Sequence, residues 1–524
     1  MKKRILFSLL FLLIAGCSSL FFASCFWEKH VHEYGEWVEI RQPTCTESGL
    51  RERTCACGAK QTDTVLATGH QWGEPPTCTQ PQVCTACGKE YRPALGHHYR
   101  DHVCTRCGDI LPSEDIYFLF TELEDGSYSV AKAPEEELPS KLYLPEEHLG
   151  RPVTAVAPSG FLRCVSLEMV HIPESITFIG AHAFESCLAL TDMTLPQSVT
   201  DIGEHAFAGC HSLALNDLPQ NLRTVGAYAF ENCSSLASLS LPENVTSVGE
   251  EAFAGCFRLQ ELTLPEGLER LGEGAFRGCS LLTSIRLPAS LSSIGTGAFA
   301  FCPAIRTIEV EAGNERYSAI GNCLIERETK RLIAGCVESA IPADGSVTAI
   351  GAKAFSGCTS LRSAVLPEGI TAIEEEAFGG CSALGDISLP ASLTEIGDYA
   401  FADCAALTKI VIPEGVAAIG DGCFLNCSLL GSAELPQSLR SIGSLAFYWC
   451  LSLETIVIPA QTASIGANAF FGCFSLQAAR FEAPSGWSAA GEALSADLLS
   501  DPQSAAEALA MTNHSAVWTR GSLG

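Results

Sequence analysis

The chain has 524 residues, 47% of them hydrophobic and only 18% charged, with a formal charge of −28. The acid is scattered as single Glu and Asp rather than gathered in a tail, so the surface repels phosphate backbones and anionic lipid, and nucleic acid is excluded as a partner class. The 26 cysteines are the other compositional mark: eight cluster between positions 45 and 107, and 13 recur at one fixed place in a repeat.

Residues 1–25 read as a sorting signal and tether. Met1-Lys2-Lys3-Arg4 is basic, and the run from Ile5 to Ile14 is apolar except for Ser8. Ile14-Ala15-Gly16-Cys17 then places small residues before a Cys. This resembles the bacterial lipoprotein box, which implies lipidation of Cys17, export, and a lipid anchor to the membrane at the cell surface. An ordinary secretory signal is the alternative, and Cys25 is a second candidate for the processed Cys; Ile14, three residues ahead, suits Cys17 better. Gly16 to Ser19 break the run short of a membrane span. With one Cys acylated, an odd number remains, so disulfides cannot account for all of them.

Residues 28–112 hold three short units, opening on His32-Glu33-Tyr34, His70-Gln71-Trp72 and His97-His98-Tyr99. They close on Cys55-x-Cys57, Cys84-x2-Cys87 and Cys104-x2-Cys107, each followed by Gly. Cys45 and Cys78 follow Pro-Thr in the first two units, and His102 stands near that place in the third. Paired soft ligands on a turn freed by Gly suit tetrahedral zinc. The candidate ligands are Cys45, Cys55, Cys57, His70, Cys78, Cys84, Cys87, His97, His102, Cys104 and Cys107, read as about three Cys and one His per unit. The sixteen residues between Cys87 and Cys104 also fit a C-x2-C, spacer, C-x2-C pattern across the second and third units. Protein fills every position of such a site, so the metal is expected to be structural and not catalytic. Disulfides remain the alternative in an exported segment with eight clustered Cys. Similar short Cys/His-rich repeats occur in bacterial surface proteins, beside repeat arrays.

Residues 113–152 read as an amino-terminal cap, with a hairpin turning at Asp125-Gly126. From 153 to 482 a Phe recurs every 23 residues, from Phe161 to Phe299 and again from Phe355 to Phe470, with a Cys three residues after each. A fixed period of that length is the mark of a solenoid whose units cannot bury their own apolar face singly. In Leu236-x2-Leu239-x-Leu241-Pro242 the leucine spacing gives a strand closed by Pro. Thirteen coils at about 4.8 Å make a sheet roughly 60 Å long. The frame breaks once, where 311–340 reads as a longer coil with a hairpin. The repeat thiols are expected to stack as a buried column of small apolar groups.

The run L-P-x-x-L-x-x-I-G-x-x-A-F-x-x-C-x-x-L resembles the BspA-like leucine-rich repeat of bacterial surface proteins. The fold class is therefore a β-rich solenoid, a leucine-rich repeat array of 23-residue coils behind a small Cys/His-rich module. The resemblance implies adhesion to a protein or other macromolecule.

Strand positions eight and ten residues after each Phe are expected to face solvent and form the binding face. They include Asp192, Leu215, Ser238, Ser240, Glu261, Thr263, Arg286, Glu309, Lys409 and Glu434. That surface is flat, with small residues and weak acidity, and it suits a broad macromolecular partner better than a small-molecule substrate. No nucleophile, base and orienting group come together, so no enzyme is expected. His182 and His205 share a repeat position and read as surface variation. Residues 483–524 read as a carboxy-terminal cap, with a helix opening at Pro502 and Trp518 closing the last rung. The function that fits is a cell-surface lipoprotein acting as a binding scaffold; the alternative is a structural component of the envelope without a specific partner.

Overall fold

The structure is a computed structural model and describes residues 32–92, 94, 99, 100, 103–107, 113, 115–215 and 217–521. Cys17, Cys25, His97 and His102 lie outside the described residues. The chain divides into two compact units, residues 1–110 and 111–524.

In the first unit, Val38–Arg41, Gly49–Thr54 and Lys60–Val65 form an antiparallel sheet. Two further two-stranded pieces follow, Gln82–Val83 with Glu90–Arg92 and Tyr99–Arg100 with Val103–Cys104. Strands so short bury little, and the core residues here are cysteines: Cys55, Cys78, Cys84 and Cys104 are all buried.

The second unit is a β-solenoid, and one coil shows how all are built. Ser238–Ser240 is a strand that pairs parallel with Glu261–Thr263, residue for residue at a separation of 23. Pro242 ends it, and the chain bends into a second strand, Ser247–Val248, parallel to Arg270–Leu271. Leu239, Leu241, Val245, Val248, Ala252, Phe253, Cys256 and Leu259 all point inward. Most coils thus add to two ladders, not one, and the first is broken into sheets of two to four strands. The second ladder is the more continuous, running through sheets of ten and twelve strands. Because the register equals the period, like residues stack on like residues. The Phe rings form a near-parallel column with centroids 5.1 to 5.7 Å apart.

Two features of the turn column set the coil's shape. A Cβ on Gly249 would lie 2.4 Å from the Ala227 nitrogen, so only Gly lets the bend approach the coil below. Two residues before and after the Phe the backbone is left-handed, as at Tyr228 (φ 57°) and Asn232 (φ 58°). The Cys is more than a small apolar filler. Its thiol donates to the Phe carbonyl of the preceding coil, as in Cys210 to Phe184 at 3.1 Å and Cys279 to Phe253 at 3.4 Å. Burial pushes Cys210 and Cys256 up to about 12, keeping them as donors. At the open end of the column Cys164 is only half-buried, and its hydrogen bond with Cys187 lowers it instead.

The frame break is a three-stranded meander. Tyr317–Ile320 and Cys323–Glu326 join through Gly321 and Asn322, both at φ 58°, as a tight two-residue hairpin requires. Arg331–Ala334 returns antiparallel and then pairs parallel with Ala349–Ile350, so the excursion ends as a rung of the second ladder. On the turn edge it places Gly335 where a regular coil has its Phe, with Gly335 N–H bonding to the Ala354 carbonyl at 2.8 Å, while Phe301 N–H reaches directly to the Ser356 carbonyl at 2.7 Å. A Cβ on Gly335 would come within 2.1 Å of the Phe355 ring, and here the buried core divides into two clusters.

Both ends of the array are covered. The hairpin Phe118–Glu122 and Tyr128–Lys132 pairs parallel with Arg151–Val156. Lys141–Tyr143 already pairs with Met169–His171, so the coils start inside the segment 113–152 that the sequence assigns wholly to a cap. At the far end Trp518–Arg520 runs antiparallel to Ser464–Ile465, and Trp487 and Trp518 are buried. The helix Pro502–Glu507 has Pro in its first turn, with Asp501 accepting from Ser504 N–H at 2.9 Å. These caps remove sheet edges that would otherwise template further strands.

Candidate functional site

In the first unit each His-x-aromatic opening is set against its Cys pair by an antiparallel bridge, Tyr34 to Cys55 and Trp72 to Cys84. The Cys pair sits on a turn closed by Gly58 N–H to Cys55 O and Gly88 N–H to Cys84 O, with φ 88° and 71° at the glycines. The other Cys lies on a turn of its own, where Thr44 and Thr77 hydroxyls accept from Glu47 and Gln80 N–H at 3.0 Å.

Among the described residues three groups result: His32, Cys55 and Cys57; Cys45, His70, Cys84 and Cys87; and Cys78, Cys104 and Cys107. Grouping by unit is thereby corrected. Cys45 leaves the first unit for the His and Cys pair of the second, and Cys78 leaves the second for the third. The sequence suggests the wrong partners because Cys45 is nearer in chain to Cys55, whereas its turn docks on the next unit, with Thr68 N–H bonding to Thr44 O at 3.0 Å.

The four ligand atoms of the second group all lie within 4.8 Å of one another. Zinc bonds of about 2.3 Å to sulfur and about 2.0 to 2.1 Å to nitrogen make tetrahedral edges of roughly 3.8 Å between sulfurs and roughly 3.5 Å from sulfur to nitrogen. Cys45 Sγ and Cys84 Sγ are 3.8 Å apart, and Cys87 Sγ is 3.4 Å from His70 Nδ1. Cys78 and Cys104 repeat the 3.8 Å spacing, and His32 Nδ1 is 3.1 Å from Cys57 Sγ. None of these cysteines is in a disulfide, whose sulfurs stand at about 2.05 Å. Burial raises Cys84, but the N–H groups of Ala86 and Cys87 and the His70 ring outweigh it and bring the thiol down to about 6. Burial and the neighbouring thiols raise Cys45 and Cys78 to about 11. The geometry and donor set can hold a metal ion.

On the array, Asp192, Ser238, Ser240, Glu261, Thr263, Arg286, Glu309, Lys409 and Glu434 are all exposed on first-ladder strands. Lys409 and Glu434 pair across adjacent rungs at 2.6 Å, and Arg286 reaches Glu311 at 2.9 Å. Leu215 departs from expectation and is buried. In sequence, Asn216 occupies the place of the inward Leu239 one coil on, so the leucine falls one position early.

Sequence reasoning missed two surface features. His182, His205 and Tyr228 stack in a second aromatic column with centroids 4.9 and 4.5 Å apart, and Tyr228 bonds to Glu250. Exposed aromatics also occupy the turn edge, with Trp449 43% and Phe474 61% exposed and their rings 6.5 Å apart. Scanning the position two before each Phe finds the first, and the positions two and four after it find the second, as scanning eight and ten finds the strand face. Glu374, from the acidic triplet Glu374 to Glu376, is held by Arg331. Among the described residues no helix is long and apolar enough to cross a membrane.

Residues 144–256, 216–326 and 348–477 match the family described as BspA type leucine rich repeat region. A leucine rich cell surface protein from Faecalibacterium prausnitzii A2-165 is 29% identical, over 71% of this chain and 95% of that one, with a TM-score of 0.59. A leucine-rich repeat protein from Bacteroides ovatus is 28% identical over 67% of this chain and 95% of that one, with a TM-score of 0.43. The pneumococcal vaccine antigen PcpA is 20% identical over 68% of this chain and 88% of its own, with a TM-score of 0.49. No curated protein matches the chain. The matched repeats cover more than half the sequence, and the chain belongs to the BspA type leucine-rich repeat family.

Proposed function

We infer that this is a bacterial cell-surface lipoprotein, anchored through Cys17, whose array binds a protein or other macromolecule by its strand face. The observation that carries the reading is that face itself: exposed side chains on short parallel strands, at Asp192–Thr194, from Ser238 to Glu309 and again from Ser363 to Glu434. Such a surface offers breadth, which suits a large partner better than a small substrate. The likeness to a cell surface protein supports the location. The Cys/His groups take structural zinc, for their spacing fits the ion's tetrahedron and thiolate with imidazole is a donor set it prefers. Zinc there orders a unit too poor in apolar residues to fold on a core of its own.

The test is retention of partners by the immobilised full chain from host-cell extract and from purified envelope. Specific retention of a host macromolecule supports adhesion. Retention of envelope components alone replaces it with a structural role in the envelope.

A further inference from the structure

Each Cys/His group draws its residues from more than one place in the module, and the second group shows what that does. Cys45 rides on the Pro43-Thr44-Cys45 turn of the first unit, whereas His70, Cys84 and Cys87 belong to the second. Two hydrogen bonds seat that turn on the entry to the second unit, from Thr68 N–H and from Thr68 Oγ1 to Thr44 O, at 3.0 and 3.2 Å. The third group repeats the hand-off. Cys78 sits on a Pro76-Thr77-Cys78 turn of the same hydrogen-bonded form, and its sulfur lies 3.8 Å from Cys104 of the following unit.

We propose that the ion in the second site is an inter-unit cross-link: Cys45 of one unit completes the tetrahedron begun by His70, Cys84 and Cys87 of the next, and Cys78 does the same one step on. The proposal rests on the structural-zinc reading and adds to it who shares each ion. Its physical consequence is that the metal orders the succession of units and not merely each unit. A chain of short two- and three-stranded pieces with little apolar burial has few other means of fixing one piece on the next. Ligands supplied by the preceding unit also make the module extensible, since each unit with a Pro-Thr-Cys turn, as the first two have, brings one Cys for its successor.

The test separates sharing from grouping by unit. In the full-length chain, His32→Ala, Cys55→Ser and Cys57→Ser together remove the first group. Were Cys45 a ligand of that group, its further replacement in this background would change nothing. Sharing predicts instead that adding Cys45→Ser removes the zinc held by the second site against a competing chelator, and that Cys45→His, which restores a ligand, recovers it. With cobalt as probe, the same step weakens the thiolate-to-metal charge-transfer band of the remaining sites. Array unfolding by circular dichroism stays unchanged in all variants and shows that the chain has folded. If the parent chain retains zinc but Cys45→Ser costs none in that background, sharing is overturned and structural zinc stands. If the parent holds no zinc and its eight module thiols are oxidised, the zinc reading itself falls.

Discussion

Replacing Phe253 by Ala is the sharpest perturbation of the array. The ring is fully buried and lies between Phe230 and Phe276, at 5.3 and 5.4 Å with planes 4° apart on both sides. Truncating a buried Phe costs about 3–5 kcal/mol, and each lost aromatic pair adds roughly 0.5–1.5 kcal/mol. Phe299 is the internal control, for it has a stacked partner at 5.7 Å on the Phe276 side, while Gly335 interrupts the column before Phe355. Phe299→Ala should therefore cost less than Phe253→Ala by about one pair, roughly 0.5–1.5 kcal/mol. Phe474, largely exposed and with one edge-on partner in Trp449, should cost no more than about that one pair, roughly 0.5–1.5 kcal/mol, when replaced by Ala. Urea unfolding gives the totals, and hydrogen exchange shows whether protection is lost first in the coils flanking the substitution, as nearest-neighbour coupling requires. Equal costs at 253 and 299, or a large cost at 474, would refute the stacked column as a source of stability.

Cys279→Ala should cost about 0.5–1.5 kcal/mol in the same assay, because the buried Phe253 carbonyl loses its thiol donor and keeps the Cys256 N–H at 3.4 Å. Among the column thiols, alkylation mapped by mass spectrometry should reach Cys164 well before Cys256, since one is half-buried with a lowered pKa and the other is buried and raised to about 12. His171 is half-buried, and burial lowers its pKa, with Glu146 opposing. The unfolded chain therefore binds the proton more readily, and stability present above about 6.5 is lost as pH falls through the folded value. Parent chain should lose urea resistance on acidification in excess of His171→Gln. Chelation should raise protease sensitivity within 32–107 and leave the array's unfolding midpoint unaltered.

The solenoid is legible in sequence because its hydrogen-bond register equals its repeat length. Once Phe recurs every 23 residues, Ser238 must pair with Glu261, and every inward leucine follows. What periodicity hides is whatever departs from it or crosses it. The second ladder rests on two-residue strands such as Ser247–Val248, too short to announce themselves. Leu215 breaks alternation by one place, and the meander 317–334 obeys hairpin rules the repeat does not contain. In the first unit the residue types point to a metal, but the sharing of Cys45 depends on a turn docking on the next unit, which chain proximity argues against. The turn-edge aromatics are open to the same column scan as the strand face and differ only in offset from the Phe.

That contrast between two faces supplies the most direct measurement. Partner capture by the full chain should be compared between Glu261→Lys with Arg286→Glu on the strand face and Trp449→Ala with Phe474→Ala on the turn edge. Binding by the strand face predicts that the first pair abolishes capture and the second leaves it intact. Loss of capture only with the aromatic pair would contradict it and move the interaction to the turn edge.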